Sequence, residues 1–391
     1  MGYRYVVLGS GRQGVALAYD LAKNGEAERV RLLDSDAAAA RRAAERLARL
    51  LPGSLCAFEP IGCDVTRASD VMDALSASHA TLSAVPYKFN VELAKLAIAA
   101  RTSFLDLGGN TSVVRAELAL DAEARAAGVS IVPDCGLAPG LGNHLAAYGI
   151  SEMDQPEHVH VRCGGLPERP VGPLAYKLVF NFYGLWNEYR GCGEFLRDGR
   201  RIDVPTLTEL ETLDFGAPLG RLEAAVTSGG TSTCPETWLG KLASFDYKTL
   251  RYPGHWEKIR ALFELGFMEP TLAAADGEVH EPLRMTQLLF EKHLAFPDVR
   301  DVVVLRTTVR GRHRGAPLEL QFDLFDRHDD RAGFTAMERT TAFPAALVAH
   351  LQARGAIAPG AKPLEVCVPP KLYFDELARH DVAIRTSRRA G

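Results

Sequence analysis

The chain runs to 391 residues with 47% hydrophobic content, enough for two cores, and its formal net charge of −4 gives no electrostatic reason to expect nucleic acid or an anionic membrane as partner. No uninterrupted apolar run is long enough to cross a bilayer, and Met1 leads straight into an apolar segment rather than a signal peptide, so the expectation is a cytoplasmic protein. Seven cysteines at 56, 63, 135, 163, 192, 234 and 367 are odd in number and form no C-x-x-C pair, which argues against a disulfide framework.

The first element, YVVLGSGRQG at Tyr5 to Gly14, is an apolar strand running into a G-x-G-x-x-G turn, and the helical pattern VALAYDLAKNG follows it. Gly9 would allow the tight turn, Gly11 the close approach of a pyrophosphate, and Gly14 the packing of helix on strand. The backbone of Ser10, Arg12 and Gln13 would then face phosphates at the helix start. Twenty residues past Gly14 a second apolar strand, RVRLL, ends on Asp34, with Ser35 beside it. A carboxylate there accepts hydrogen bonds from an adenosine ribose and repels a 2′-phosphate, so the cofactor expected is NAD. Arg41 and Arg42, about two turns into the next helix, fit a solvated helix face better than a phosphate clamp.

The β-α rhythm continues to about residue 125, and strands spaced in this way imply a parallel sheet covered on both faces. Ligands bind outside the carboxyl ends of such strands, where strand order reverses. That rule places Asp64, Val65, Ser83, Ala84, Val85, Pro86, Tyr87, Asp106 to Asn110 and Asp134 to Gly136 on one rim with the glycine turn. Each has an ordinary alternative as a turn or helix cap. From about 151 the chain becomes mostly extended, with one helical stretch, HWEKIRALFELG, and a hairpin around RGRHRG. The pair His158 and His160 alternates with Val159 and Val161 as one face of a strand, and no third ligand stands at a recognisable spacing, so no metal is expected. The tail returns to a helix in TTAFPAALVAHLQARGA, with Pro344 suited to its first turn and Gly355 to its end. The fold class is therefore α/β: a Rossmann-type doubly wound parallel sheet plus an α+β domain built on an antiparallel sheet.

The run VPDCGLAPGLGNHLA at 132–146, preceded by NVELAKLAIAARTSFLDLGGN, resembles the saccharopine dehydrogenase-like family of NAD(P) oxidoreductases. GGLPERPVGPLAYKLVFNFYGLWNEY, TSGGTSTCPETW, YKTLRYPGHWEKIRAL and CVPPKLYFDEL extend the likeness over nearly the whole chain, toward the shorter members of that family. The resemblance implies a nucleotide domain of residues 1–125 joined by a returning segment, 336–391, and a substrate-binding and dimerisation domain of 126–335. It also implies a homodimer or higher homo-oligomer and a small amino-acid substrate oxidised at a carbon bearing nitrogen. For the shorter members the reaction converts L-lysine, NAD and water to 2-aminoadipate 6-semialdehyde, ammonia and NADH, and the semialdehyde cyclises to a piperideine carboxylate.

Such a reaction needs a neutral amine, whereas a lysine ε-amine is mostly protonated at neutral pH, so the site must accept a proton. Asp106, on a strand exit beside Gly108 and Gly109, is the candidate acceptor, with Cys135 on the neighbouring exit and Tyr87 on the rim. The substrate carboxylate needs a cation, for which Arg251 and Lys177 stand among aromatics. Tyr176, Asn181 and Thr227 are candidate polar contacts, and His255 has the intrinsic pKa of a proton shuttle. Two alternatives stay open: oxidation of an N-substituted amino acid such as saccharopine or a carboxylated polyamine, and a non-catalytic NAD(H) sensor. Convergence of Asp106, Lys177 and Arg251 on one pocket would favour an enzyme over a sensor.

Overall fold

The structure is a computed structural model that describes residues 2–390. Its first layer is built from β1 (Tyr3–Leu8), α1 (Arg12–Asn24), β2 (Ala27–Asp34), α2 (Ala37–Leu50), β3 (Ala57–Gly62), α3 (Ala68–Leu75), β4 (Ala80–Ser83), α4 (Asn90–Ala99), β5 (Ser103–Asp106), α5 (Thr111–Leu118), α6 (Asp121–Ala127) and β6 (Ser130–Val132). The strands are all parallel, in the order β6-β5-β4-β1-β2-β3, so strand order reverses between β1 and β4. All residues of β4 and β5 are buried, as central parallel strands require. In α2, Asp36 caps the first turn by accepting from Ala38 N–H at 2.8 Å, and Ala40, Ala43, Ala44 and Leu47 recur on the buried face.

The second layer follows with α7 (Leu141–Ser151), β7 (Gln155–Pro167), α8 (Phe182–Glu188), β8 (Cys192–Arg197), β9 (Arg200–Pro205), β10 (Glu211–Asp214), β11 (Arg221–Val226), α9 (Cys234–Thr237), β12 (Ser244–Arg251), α10 (His255–Glu264), the small hairpin β13 (Leu272–Ala273) and β14 (Val279–His280), α11 (Pro282–His293), β15 (Asp301–His313) and β16 (Ala316–Arg327). The long pair β15 and β16 turns at Arg314 and Gly315, both at positive φ, the backbone that a two-residue hairpin uses. The chain closes with α12 (Ala336–Ala353), β17 (Gly360–Ala361), α13 (Leu364–Cys367), α14 (Pro370–Leu377) and β18 (Ile384–Ala390). The second sheet runs β10-β11-β12-β7-β15-β16-β18, with β8 branching from β12 and β9 from β8.

Five features depart from the sequence reading. The second sheet is mixed, because β12 pairs in parallel with β7 while its other pairs are antiparallel. The stretch LVFNFYGLWNEY is not simply extended: α8 begins where the Asn181 side chain accepts from Gly184 N–H at 2.7 Å. Pro344 lies inside α12 rather than in its first turn, since a capping box of Thr335 and Glu338 starts the helix earlier. The parallel sheet also crosses the expected boundary at 125, for β6 pairs with β5 and β17 pairs with β6. The C-terminal segment divides between layers, because β18 pairs with β16 of the second sheet.

Helix α12 joins the two layers. It packs against α1, β4 and β5 on one side and β15 on the other. Asp301 of β15 accepts from the first-turn N–H groups of Ala336 and Met337 at 2.9 Å, and Gln352 near the other end donates to the carbonyls of Phe104 and Ser130 in the first sheet. One buried apolar cluster runs from Tyr5 and Val7 through this helix to Phe322 and Leu324.

Candidate functional site

The glycine turn has the geometry its residues imply. Gly9 sits at φ +94°, and a Cβ there would meet the Ala84 carbonyl oxygen at 2.9 Å. A Cβ on Gly14 would lie 1.8 Å from the Gly9 carbonyl oxygen, so only glycine lets α1 pack so closely on β1. A Cβ on Gly11 would meet nothing within 4 Å, which leaves the face over this residue open for a pyrophosphate. Asp34, at the end of β2, accepts from Ser10 N–H at 2.9 Å and Asp36 N–H at 3.0 Å, so its carboxylate is fixed against the turn. These residues fit a pyridine dinucleotide. Ser35 is exposed beside Asp34, and Val65 is half-buried against an apolar cluster that includes Leu8, Leu33 and Phe104.

The side chains of Arg12 and Gln13 turn away from the phosphate position. Arg12 pairs with Glu338 at 2.5 Å and donates to Thr335, while Gln13 donates to the Met337 carbonyl. Only their backbone is left for a phosphate. Arg42 pairs with Asp36 at 3.1 Å, as a helix-face residue would.

Leu8, Ser83 and Asp106 form one row across the carboxyl edge, through the registers of β1 with β4 and of β4 with β5. At one strand spacing per step, Asp106 lies roughly 10 Å from the end of β1. Ala84, Val85 and Pro86 follow β4 on this edge; Ala84 N–H bonds the Leu8 carbonyl, and Ser83 donates its hydroxyl to Asn90 at 2.7 Å. Tyr87 packs against Gly109, whose carbonyl accepts from Asn187 of α8 at 3.0 Å. The two layers thus meet directly over the exit of β5.

Behind that edge is a group of buried acids. Asp106 is 1% exposed; its Oδ1 accepts from Gly108 N–H at 2.6 Å and Asp134 N–H at 3.3 Å, while its Oδ2 has no partner among the described residues. Glu117 of α5 is 0% exposed and stands against Asp106 with both oxygens likewise unpartnered. Asp134 holds a left-handed backbone at φ +58° and bonds the Ser232 hydroxyl, with its Oδ1 free among the described residues. Burial and then the Asp106 charge push the Glu117 carboxyl up to about 11 and that of Asp134 up to about 8; burial also raises Asp106. Glu365 of α13, raised by burial as well, accepts from Thr233 and Thr237 at 2.7 Å each. A narrow cavity of about 10 Å³ is bordered by Asp134, Asn143, Ser232, Thr233 and Glu365. That is about the least space that holds one water-sized molecule. Cys135 is buried beside these acids, its thiol directed at the Val132 carbonyl and its pKa driven well up by burial, so it is no thiolate.

Several expected site residues are occupied elsewhere. Lys177 is no free cation: its ammonium donates to the carbonyls of Phe296 at 3.0 Å and Val299 at 2.5 Å. Arg251 is 1% exposed, donates to the Tyr189 hydroxyl at 2.8 Å and the Leu250 carbonyl at 2.9 Å, and lies over the ring of Tyr176. Tyr176 is accordingly part of a buried box around a structural cation. His255 is no shuttle, because its ring is 0% exposed, one nitrogen bonds the Leu174 carbonyl and the other the Tyr189 hydroxyl, and burial pushes its pKa down to about 3. Thr227 bonds Thr249 at 2.8 Å, and Asn181 is spent as the cap of α8. Asn110 caps α5 through Ser112 and Val113, and Asp64 caps its own turn through Thr66. Asp106, Lys177 and Arg251 share no partner, so the expected three-residue convergence is replaced by one among Asp106, Glu117 and Asp134. The sequence pattern singles out neither Glu117 nor Glu365, and it marks Asp134 only as part of a strand exit. His160 bonds Asp246 and His158 bonds Ser244 across β7 and β12, as a polar strand face would.

Comparison with known proteins decides the family. The sequence model of the saccharopine dehydrogenase C-terminal domain matches residues 136–382, and that of the saccharopine dehydrogenase NADP binding domain matches residues 5–132. The chain belongs to the saccharopine dehydrogenase family. Among curated relatives, saccharopine dehydrogenase [NADP(+), L-glutamate-forming] from Pyricularia oryzae is 29% identical over 225 residues, 54% of this chain and 48% of the relative. Mitochondrial alpha-aminoadipic semialdehyde synthase from Bos taurus is 22% identical over 380 residues, 78% of this chain and 41% of the relative. The matches thus span about half or less of the length of these saccharopine dehydrogenase-family relatives. The fold is similar to that of apo saccharopine dehydrogenase (L-Glu forming) from Saccharomyces cerevisiae, with a TM-score of 0.78 at 19% identity over 100% of both chains.

Proposed function

We propose that this chain is a pyridine-nucleotide amino-acid dehydrogenase that oxidises the ε-carbon of L-lysine, an L-lysine 6-dehydrogenase, with NAD as acceptor. The observation that carries the reading is the buried, unpartnered oxygen of Asp106 on the same edge as the glycine turn. Its surroundings are rich in acid, with Glu117, Asp134 and Glu365 close by, while Lys177 and Arg251 are engaged elsewhere. Acceptors without donors suit a substrate that brings an ammonium, and a shortage of free cations suits one that brings few carboxylates.

The residues act in order. Asp34 would hold the ribose hydroxyls, and the open face of Gly11 would admit the pyrophosphate. The Asp106 carboxylate accepts a proton from the substrate ammonium, which frees the nitrogen lone pair to stabilise the iminium as hydride leaves the adjacent carbon. A nicotinamide, when bound, would supply the hydride acceptor. Asp106, now protonated, stands beside the carbon that water attacks, and ammonia departs as the semialdehyde forms. The carboxylate of Asp34 supports NAD over NADP through repulsion of a 2′-phosphate. We place the protein in the cytoplasm as a homodimer; no helix among the described residues is long and apolar enough to cross a membrane.

A second reading is favoured by the Pyricularia oryzae relative, whose name specifies saccharopine and NADP. The test is turnover of L-lysine and of saccharopine with each nucleotide, followed by absorbance of the reduced nicotinamide and by ammonia release. Lysine-dependent reduction of NAD with ammonia supports the proposal; reduction of NADP by saccharopine alone would replace it, and silence on every amine would favour a sensor.

A further inference from the structure

Two carboxylates in contact in a dry pocket do not both ionise, and neither offers the other a hydrogen when they do. Asp106 and Glu117 are both buried and are hydrogen-bonding neighbours of each other. Asp106 Oδ1 is satisfied by two backbone N–H groups, whereas Oδ2 and both Glu117 oxygens lack a donor among the described residues. One proton between them turns an orphaned contact into a hydrogen bond, and the second lone pair of Asp106 Oδ2 stays open for a substrate ammonium.

We propose that Glu117 is a positioning residue that keeps a proton of its own and donates it to Asp106, holding Asp106 as the carboxylate that takes the proton of the substrate amine. The inference rests on the amine-dehydrogenase reading above. The titration of Glu117 agrees, since burial and the Asp106 charge both favour its neutral form at physiological pH. Asp106 is faced by Glu117 from α5 and by Asp134 and Cys135 from the exit of β6, with Cys367 and Glu365 of α13 beyond them. None of the groups acting on Asp106 is a cation. Arg115, on the same helix as Glu117, instead pairs with Glu194 at 2.6 Å. With no fixed cation, a hydrogen-bond donor is what remains to stabilise the Asp106 charge. A separate side chain points the same way: the Oδ1 of Asn143, buried at the cavity that Asp134 borders, is also an acceptor without a donor among the described residues, as a pocket made for an incoming ammonium would have. In the step itself the substrate N–H bond breaks, its proton passes to Asp106, and the Glu117 proton stays in place.

The test compares wild type, Glu117→Gln and Glu117→Met. The amide of Gln still donates, whereas Met fills the space without donating. In the pH dependence of kcat/KM, Glu117→Gln is expected to keep the acid limb of wild type, and Glu117→Met to move it to higher pH by about one unit or more, the size of a lost charge-assisted hydrogen bond. A shift in Gln as large as in Met, or no shift in Met, would overturn the proposal. Infrared spectroscopy gives a readout independent of turnover: the wild type at neutral pH should show a protonated buried carboxyl band that Glu117→Gln lacks. Identical bands in both would sink the inference even if lysine is the substrate, and a band lost in Glu117→Gln would sustain it even if the substrate is another amine.

Discussion

Asp34 and Asp106 carry the two halves of the proposed chemistry, and substitution should separate them. Asp34→Ala removes the acceptor held against Ser10 N–H, so KM for NAD should rise about 10-fold or more and preference against NADP should relax, measured by steady-state kinetics with both nucleotides. Asp106→Asn should lower kcat by about 10²- to 10⁴-fold with little effect on NAD affinity measured by fluorescence titration. Glu117 adds a pH signature to stability. Its folded pKa is raised above the unfolded value, so the folded chain binds the extra proton and this contribution is lost as pH rises. Wild type should therefore weaken relative to Glu117→Gln by up to roughly 1 kcal/mol per pH unit between about pH 5 and pH 8, measured by denaturant unfolding. The sequence made the first two residues legible because each ends a strand, Asp34 twenty residues past the glycine turn and Asp106 beside Gly108 and Gly109. Glu117 was not legible, although it follows Val114 by three on the buried face of α5, where a carboxylate breaks the apolar pattern. Arg251, Tyr176 and His255 misled for a related reason: a polar residue among aromatics describes a ligand cradle and a packed structural cation equally well until partners are known.

At the scale of elements, the glycine turn and the start of α12 are one unit. Glu338 completes the capping box of α12 and also receives Arg12 from the turn. Glu338→Ala should cost about 1–2 kcal/mol and lower Tm by a few degrees in calorimetry, and it should loosen NAD binding as well. Thr335→Ser, which keeps the cap, should do neither. The parallel strands and α2 were readable because their periodicity and caps agree. Helix α8 was hidden because seven residues rich in aromatics give too short a period, and its cap, Asn181, also suits a binding residue. The early start of α12 was hidden by Pro344, which reads as a helix beginning although flanking turns, buried on all sides, carry the helix through it.

For the whole molecule, the apolar cluster that passes from the first sheet through α12 to the second leaves no seam along which the layers could unfold apart. Thermal unfolding followed by far-UV and near-UV circular dichroism should give one coincident transition, and amides in the middle of α12 should exchange as slowly as those of β5 and β15. The two-layer plan was readable from the change in texture near residue 151, because strand and helix periods differ. How the layers join was not, since it depends on Asp301 and Gln352 reaching across 35 residues to α12 and 248 residues to Phe104.

Anchored to β15 at one end and to the first sheet at the other, α12 acts as a strut that resists rotation of one layer against the other. Any opening between the layers then falls to side chains at their contact. The bond from Asn187 to the Gly109 carbonyl crosses from α8 to the exit of β5 at an exposed position, and its donor and acceptor can both turn to water at little cost. Breaking that bond would part α8 from the exit of β5 while the backbone N–H groups that hold Asp106 stay in place.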